Sequence, residues 1–146
     1  MPLCRLACAA LLALLFTACG SSPSRKVHPS TASIQQIVVQ PDGSWRITLR
    51  IQNYSTFAMH YSDVEAQLRI AGSDAGQLKF APDIDIVGSN SDVVETRFRP
   101  ATAIRLVGEI DYTLKGTLTT SKPDKRFDFR MSSQLSPTPG LADTWR

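Results

Sequence analysis

The stretch Trp45-Arg46-Ile47-Thr48-Leu49-Arg50-Ile51-Gln52 alternates apolar and polar side chains without interruption. In an extended chain successive side chains point to opposite sides, so this stretch has one apolar face and one face suited to water. A helix would scatter the same four apolar residues around its circumference and could not bury them together. Just before it, Pro41-Asp42-Gly43 has the chemistry of a tight turn, with proline presetting φ and glycine accepting a positive φ. Residues 34–40 become β-branched toward their end, so residues 34–52 are expected to form a β-hairpin.

Onward along the chain the same period returns. Val64, Ala66, Leu68 and Ile70 alternate with Glu65, Gln67 and Arg69. Leu106, Ile110, Tyr112 and Leu114 oppose Glu109, Asp111, Thr113 and Lys115, and Phe127, Phe129 and Met131 oppose Arg126, Asp128 and Arg130. Weaker strands are expected over 77–87, which Pro82 interrupts, and around Val94, Thr96 and Phe98. Turn-forming clusters at 72–76, 88–91 and 121–125 separate these runs, and no stretch has the period or caps of a long helix. About seven strands in roughly 100 residues predict an all-β, antiparallel β-sandwich of the fibronectin type III or immunoglobulin-like kind. A domain of this size buries well over half of its unfolded surface, so its core can hold it without disulfides.

The N-terminal residues belong to a different regime. Arg5 is followed by an almost wholly apolar run over 6–16, the build of an export signal. Its length of about 11 residues is half the ~20 that cross a bilayer as a helix. Leu15-Phe16-Thr17-Ala18-Cys19-Gly20 resembles the lipobox of bacterial lipoproteins, with Phe16 where leucine is usual. The resemblance implies cleavage before Cys19, a diacylglycerol on its sulfur and an acyl chain on its new amine. Two or more chains anchor a protein durably where one does not. Gly20, rather than aspartate, implies the outer membrane, with the domain facing the periplasm. Cys4 and Cys8 fall within the signal, which leaves Cys19 as the single cysteine of the mature chain and no disulfide to form. The expected organisation is a signal peptide over 1–18, a lipidated flexible tether over 19–32, the sandwich over 33–134 and a flexible tail over 135–146. Cleavage removes Arg5 alone among sixteen basic and thirteen acidic residues, so the net charge of +3 falls by one. So small and evenly spread a charge does not imply nucleic acid as a partner, and none is expected.

Three segments carry a further resemblance: Ile47-Thr48-Leu49-Arg50-Ile51-Gln52-Asn53, Val64-Glu65-Ala66-Gln67-Leu68-Arg69-Ile70-Ala71-Gly72 and Asp111-Tyr112-Thr113-Leu114-Lys115-Gly116-Thr117-Leu118. Their order resembles the type-2 late embryogenesis abundant (LEA-2, or water stress and hypersensitive response) family over about residues 33–134. Where that family commonly has Asn-Pro-Asn, this chain has Asn53-Tyr54-Ser55. The resemblance implies a fibronectin-like sandwich and an association with desiccation or other stress, and it brings no catalytic residues.

Chemistry is sparse elsewhere. His28 stands in the expected tether and His60 in the expected loop over 54–62, and neither has the partners of a metal site or a catalytic triad. The carboxylate pairs Asp63/Glu65 and Glu109/Asp111 fall on polar strand faces, where cross-strand pairing explains them. Asp83/Asp85, beside Pro82, is the one pair in an irregular stretch and is a candidate weak cation site. No enzyme, no metal and no cofactor beyond the covalent lipid on Cys19 are expected. The uncharged segment 54–61 carries Tyr54, Phe57, Met59 and Tyr61, which either cap one end of the sandwich or form an exposed rim for a lipid, a glycan or an envelope protein. The expectation is thus a non-catalytic envelope lipoprotein with a structural or stress-protective role. Its alternatives are an apolar-ligand binder, opening between its sheets at Leu78, Phe80, Ile84 and Ile86, and an accessory subunit of an envelope complex.

Overall fold

The computed structural model describes residues 24–146, and Cys4, Cys8 and Cys19 lie outside them. Among the described residues there is no helix. The strands are β1 (Thr31–Val39), β2 (Trp45–Asn53), β3 (Met59–Ile70), β4 (Ser73–Phe80), β5 (Ile84–Ile86), β6 (Asn90–Phe98), β7 (Ile110–Lys122), β8 (Asp124–Leu135) and β9 (Thr144–Trp145). They form two antiparallel sheets, one ordered β6-β2-β1-β9 and the other β4-β3-β7-β8, with β5 also on β3. Apart from β5 and β9, this is the two-sheet sandwich that the alternation implies.

The alternation itself builds the core. Trp45, Ile47, Leu49 and Ile51 are at most 2% exposed. Facing them across the sandwich are the inward side chains of the second sheet, among them Leu68, Ile70, Leu114 and Leu118. The first hairpin turns at Pro41-Asp42-Gly43, where Gly43 has φ +78° and its N–H donates to the Gln40 carbonyl at 2.9 Å.

Departures from the expected elements have local causes. The third strand starts at Met59 because the alternation reaches back through Tyr61, both 0% exposed. A bulge between Tyr61 and Asp63 turns two successive side chains outward and hides this continuity in the sequence. The turn after β3 is only Ala71 and Gly72, both with positive φ, the geometry of a two-residue hairpin. The run over 77–87 divides into β4 and β5 around Pro82 and Asp83, whose φ is +52°. Leu106 is buried, but in the irregular stretch that precedes β7.

Both ends of the chain also depart from expectation. Residues 136–146 are not a flexible tail: Ser136 and Arg146 exchange backbone hydrogen bonds at 2.7 and 2.9 Å, and β9 pairs with the edge of β1. The reason is Trp145, which is 9% exposed and whose indole N–H donates to the Gly108 carbonyl at 3.0 Å. In the expected tether, β1 begins at Thr31 and Ser30 is fully buried.

Two phenols tie the sheets together. The Tyr61 hydroxyl lies 2.6 Å from Ser30 Oγ. The Ile34 N–H, at the β1 bulge, donates to Tyr112 Oη at 3.1 Å. Burial pushes both phenols above their ordinary pKa, against the smaller opposing effect of those hydrogen bonds.

Tyr61→Phe and Tyr112→Phe are each expected to cost about 1–2 kcal/mol near neutral pH in urea unfolding, the value of a buried hydrogen bond and its orphaned partner. The raised folded pKa makes each tyrosine's contribution complete below about pH 10 and progressively lost above it, where the unfolded chain ionises first. The double variant is therefore expected to lose stability less steeply above that pH than the parent. Trp145→Ala is expected to cost about 3 kcal/mol. A flexible tail would make that substitution neutral, so the same unfolding series distinguishes the two.

Candidate functional site

The end of the sandwich where β2 turns into β3 is organised by one amide. Asn53 is fully buried, and its Nδ2 donates to the carbonyls of Phe57 and Ile86, each at 2.9 Å. Its Oδ1 accepts the Ser55 N–H at 2.9 Å, closing the turn that a proline would otherwise help to set. The buried Ser55 in turn receives the His28 N–H on its Oγ at 3.0 Å and the Ser89 N–H on its carbonyl at 2.8 Å. Gly88 lies so close to the backbone of Thr56 and Phe57 that any Cβ there would collide with it.

The chain before β1 lies along this turn. Thr56 donates its N–H to the Lys26 carbonyl at 3.0 Å, while its Oγ1 accepts the Lys26 N–H at 2.9 Å and donates to the Ser24 carbonyl at 3.0 Å. The Arg25 guanidinium stands 4.4 Å above the centre of the Phe57 ring, a cation–π contact. Residues 24–30 are thus fastened to the domain, and the tether expected up to residue 32 is shorter than the sequence implies.

The four residues of the expected rim separate accordingly. Met59 and Tyr61 are core, Phe57 is partly buried beneath Arg25, and Tyr54 is 52% exposed. They do not form one apolar patch, because strand alternation turns Met59 and Tyr61 inward. Sequence reasoning missed two exposed neighbours, Val27 and Val87. Their only signal is position, one beside the docked segment and one beside the Asn53 amide. Cys19, the residue expected to carry lipid, lies outside the described residues.

His60 and Asp83/Asp85, read separately from the sequence, meet on the surface. Nδ1 lies 2.9 Å from Asp85 Oδ1 and Nε2 lies 3.1 Å from Asp83 Oδ1. The carboxylates flank opposite ring nitrogens, so they clamp β5 onto β3 rather than converge on a cation. Among the described residues no group of three such side chains could hold a metal ion.

The expected opening between the sheets is closed. Leu78 and Ile86 are 2% exposed, and Phe80 and Ile84 pack against the same core. A groove of about 870 Å³ lies instead at the opposite end of the sandwich. Trp45, Leu106 and Trp145 contribute its buried lining, and Arg99, Arg105 and Asp143 its charged groups. Arg99 is held by Asp42, with Nη1 to the Asp42 carbonyl at 3.1 Å and Nη2 to Oδ2 at 3.3 Å. Hydrogen bonds from Ser44, then the charges of Arg97 and Arg99, hold the Asp42 carboxyl below the usual carboxylate range.

No family model matches the sequence, and no curated protein matches it. The fold is similar to the solution structure of AT1g01470 from Arabidopsis thaliana, with a TM-score of 0.52 and 12% identity over 88% of this chain and 93% of that one. The solution structure of a putative late embryogenesis abundant (LEA) protein, At2g46140.1, aligns with a TM-score of 0.49 and 14% identity over 88% and 80% of the two chains. A crystal structure of a protein from Archaeoglobus fulgidus aligns with a TM-score of 0.43 and 10% identity over 77% and 98%. At such identities the likeness to AT1g01470 is one of fold: this chain is an antiparallel β-sandwich of the same general architecture.

Proposed function

We propose that this chain is a lipid-anchored, non-catalytic protein of the bacterial envelope, held by Cys19 and carrying a LEA-2-like sandwich with a structural or stress-protective role. The observation that carries the reading is the lipobox Leu15-Phe16-Thr17-Ala18-Cys19-Gly20, placed behind an apolar export run and ahead of an all-β domain. The LEA-2 part rests on the three strand segments that resemble the family, and the fold likeness to AT1g01470 is in keeping with it. Some polar side chains of the domain pair with one another on its surface. Lys79 with Glu65 at 2.7 Å and Arg97 with Asp42 at 2.9 Å are examples. Such a body acts by binding and occupying space rather than by turnover.

A second reading, an apolar-ligand binder, draws on the groove between Trp45 and Trp145 rather than on a gap between the sheets. Native mass spectrometry of the purified protein separates the two readings. A clean mass is expected from the scaffolding role, and a reproducible extractable adduct would favour the binder.

Cys19→Ala is expected to abolish incorporation of labelled palmitate and to move the protein from the membrane fraction to the soluble fraction. Retention in the membrane without the cysteine would refute the lipid anchor. Deleting the gene is expected to leave growth in rich medium unchanged and to lower survival after drying. Equal survival of mutant and parent would refute the protective role alone.

A further inference from the structure

Lipid attachment at Cys19 combines with the docked segment to constrain how the domain stands. Ser24 already accepts a hydrogen bond from Thr56, and only five peptide steps separate it from Cys19. Five residues reach no more than about 18 Å even when fully extended. A nine-residue strand such as β2 spans about 27 Å. The turn at 54–58 is therefore kept near the leaflet that holds the lipid, while β2 carries the chain from this end to the groove at Trp45.

What this end presents suits a membrane surface. Among the described residues six large apolar side chains are exposed, and three of them adjoin the same turn: Val27 at 42%, Tyr54 at 52% and Val87 at 58%. Val27 lies between Lys26 and His28, which bond to Thr56 and Ser55. The Val87 carbonyl accepts from Asn53 Nδ2 at 3.3 Å. All three thus stand on one hydrogen-bonded framework rather than on independent loops. Arg25 and Lys26 add two exposed positive charges beside them. The carboxylates on the β5 side, Asp83 and Asp85, lie within 3.1 Å of His60 but stay largely in water, and Asp92 lies on β6 opposite Ile51. Tyrosine favours the headgroup layer, and basic residues are drawn to anionic lipid.

We propose that the 54–58 end of the sandwich, through Val27, Tyr54, Val87, Arg25 and Lys26, seats on anionic phospholipid headgroups of the leaflet that anchors Cys19. The proposal rests on the lipid-anchor reading. Seated this way, the strands stand away from the bilayer and the Trp45–Trp145 groove faces the aqueous side. The domain is then oriented on the membrane rather than tumbling at the end of a long leash.

The test uses the lipidated protein in vesicles of phosphatidylethanolamine and phosphatidylglycerol. Tyr54→Cys, Val87→Cys and Leu141→Cys each replace an exposed side chain with a single reactive thiol, because the Cys19 sulfur is acylated. With an environment-sensitive fluorophore on that thiol, a blue shift and quenching by brominated lipid are expected at 54 and 87 and not at 141. Adding Arg25→Glu and Lys26→Glu is expected to weaken the signal at 54 and 87. Protein that sediments with the vesicles yet leaves 54 and 87 unquenched would overturn the seating while leaving the anchor intact. A surface reserved for a protein partner would give that result, as would a freely tumbling domain. Quenching only at 141 would reverse the orientation and overturn it too. Protein that neither carries the lipid nor sediments with the vesicles would overturn the anchor and the seating together.

Discussion

A single buried carboxamide determines how one end of this molecule is put together. Asn53 closes β2, and through its side chain it binds the turn that follows and the β5 carbonyl at Ile86. Because the amide has no access to water, each of those bonds must be made within the protein or lost at full cost. It therefore fixes Ser55, and Ser55 with Thr56 fixes residues 24–28. The position of the N-terminal segment, the exposure of Tyr54 and the fit of Gly88 against the turn all follow from that arrangement. Aspartate would supply the acceptor but not the donors, and alanine would supply neither.

Around this latch the two sheets are joined by apolar packing punctuated by a few polar ties. The Tyr61 and Tyr112 hydroxyls reach from the second sheet to Ser30 and Ile34 beside the first. Both ties meet the chain where it leaves regular pairing, before β1 and at its bulge. A bulge leaves backbone groups without ladder partners, and a phenol is long enough to supply one from the facing sheet. At the other end Trp145 plays a comparable part. Its indole N–H donates to the Gly108 carbonyl while its backbone pairs with β1, which draws the last residues into the fold. The surface clamp of His60 by Asp83 and Asp85 is weaker in kind, since both carboxylates are largely in water.

Most of the architecture was legible in the residues. The strands at 45–52, 64–70, 110–114 and 127–131 were readable because a period of two places every second side chain in the core, and those runs contain no irregularity to shift the phase. The first turn was readable because glycine at 43 permits a positive φ. Met59 and Tyr61 were misplaced for the same physical reason in reverse: the bulge before Asp63 moves the alternation by one residue, so a strand looks like a loop. The interruption at Pro82 was legible, but not its consequence, a separate β5 on the same edge of β3.

By itself the sequence determined the local terms: which residues can be extended, which face of each strand is apolar, and where the chain can turn. These depend on neighbours along the chain, so spacing reveals them. Only the tertiary structure decided that residues 24–30 and 136–146 belong to the fold, that His60 meets Asp83 and Asp85, and that a groove lies beside Trp45 and Trp145. Each of these joins residues far apart in sequence. The polar character of both end segments pointed to solvent, and it was overridden by partners that no local pattern announces: an unfilled edge on β1, and the free backbone groups beside Ser55 and Thr56.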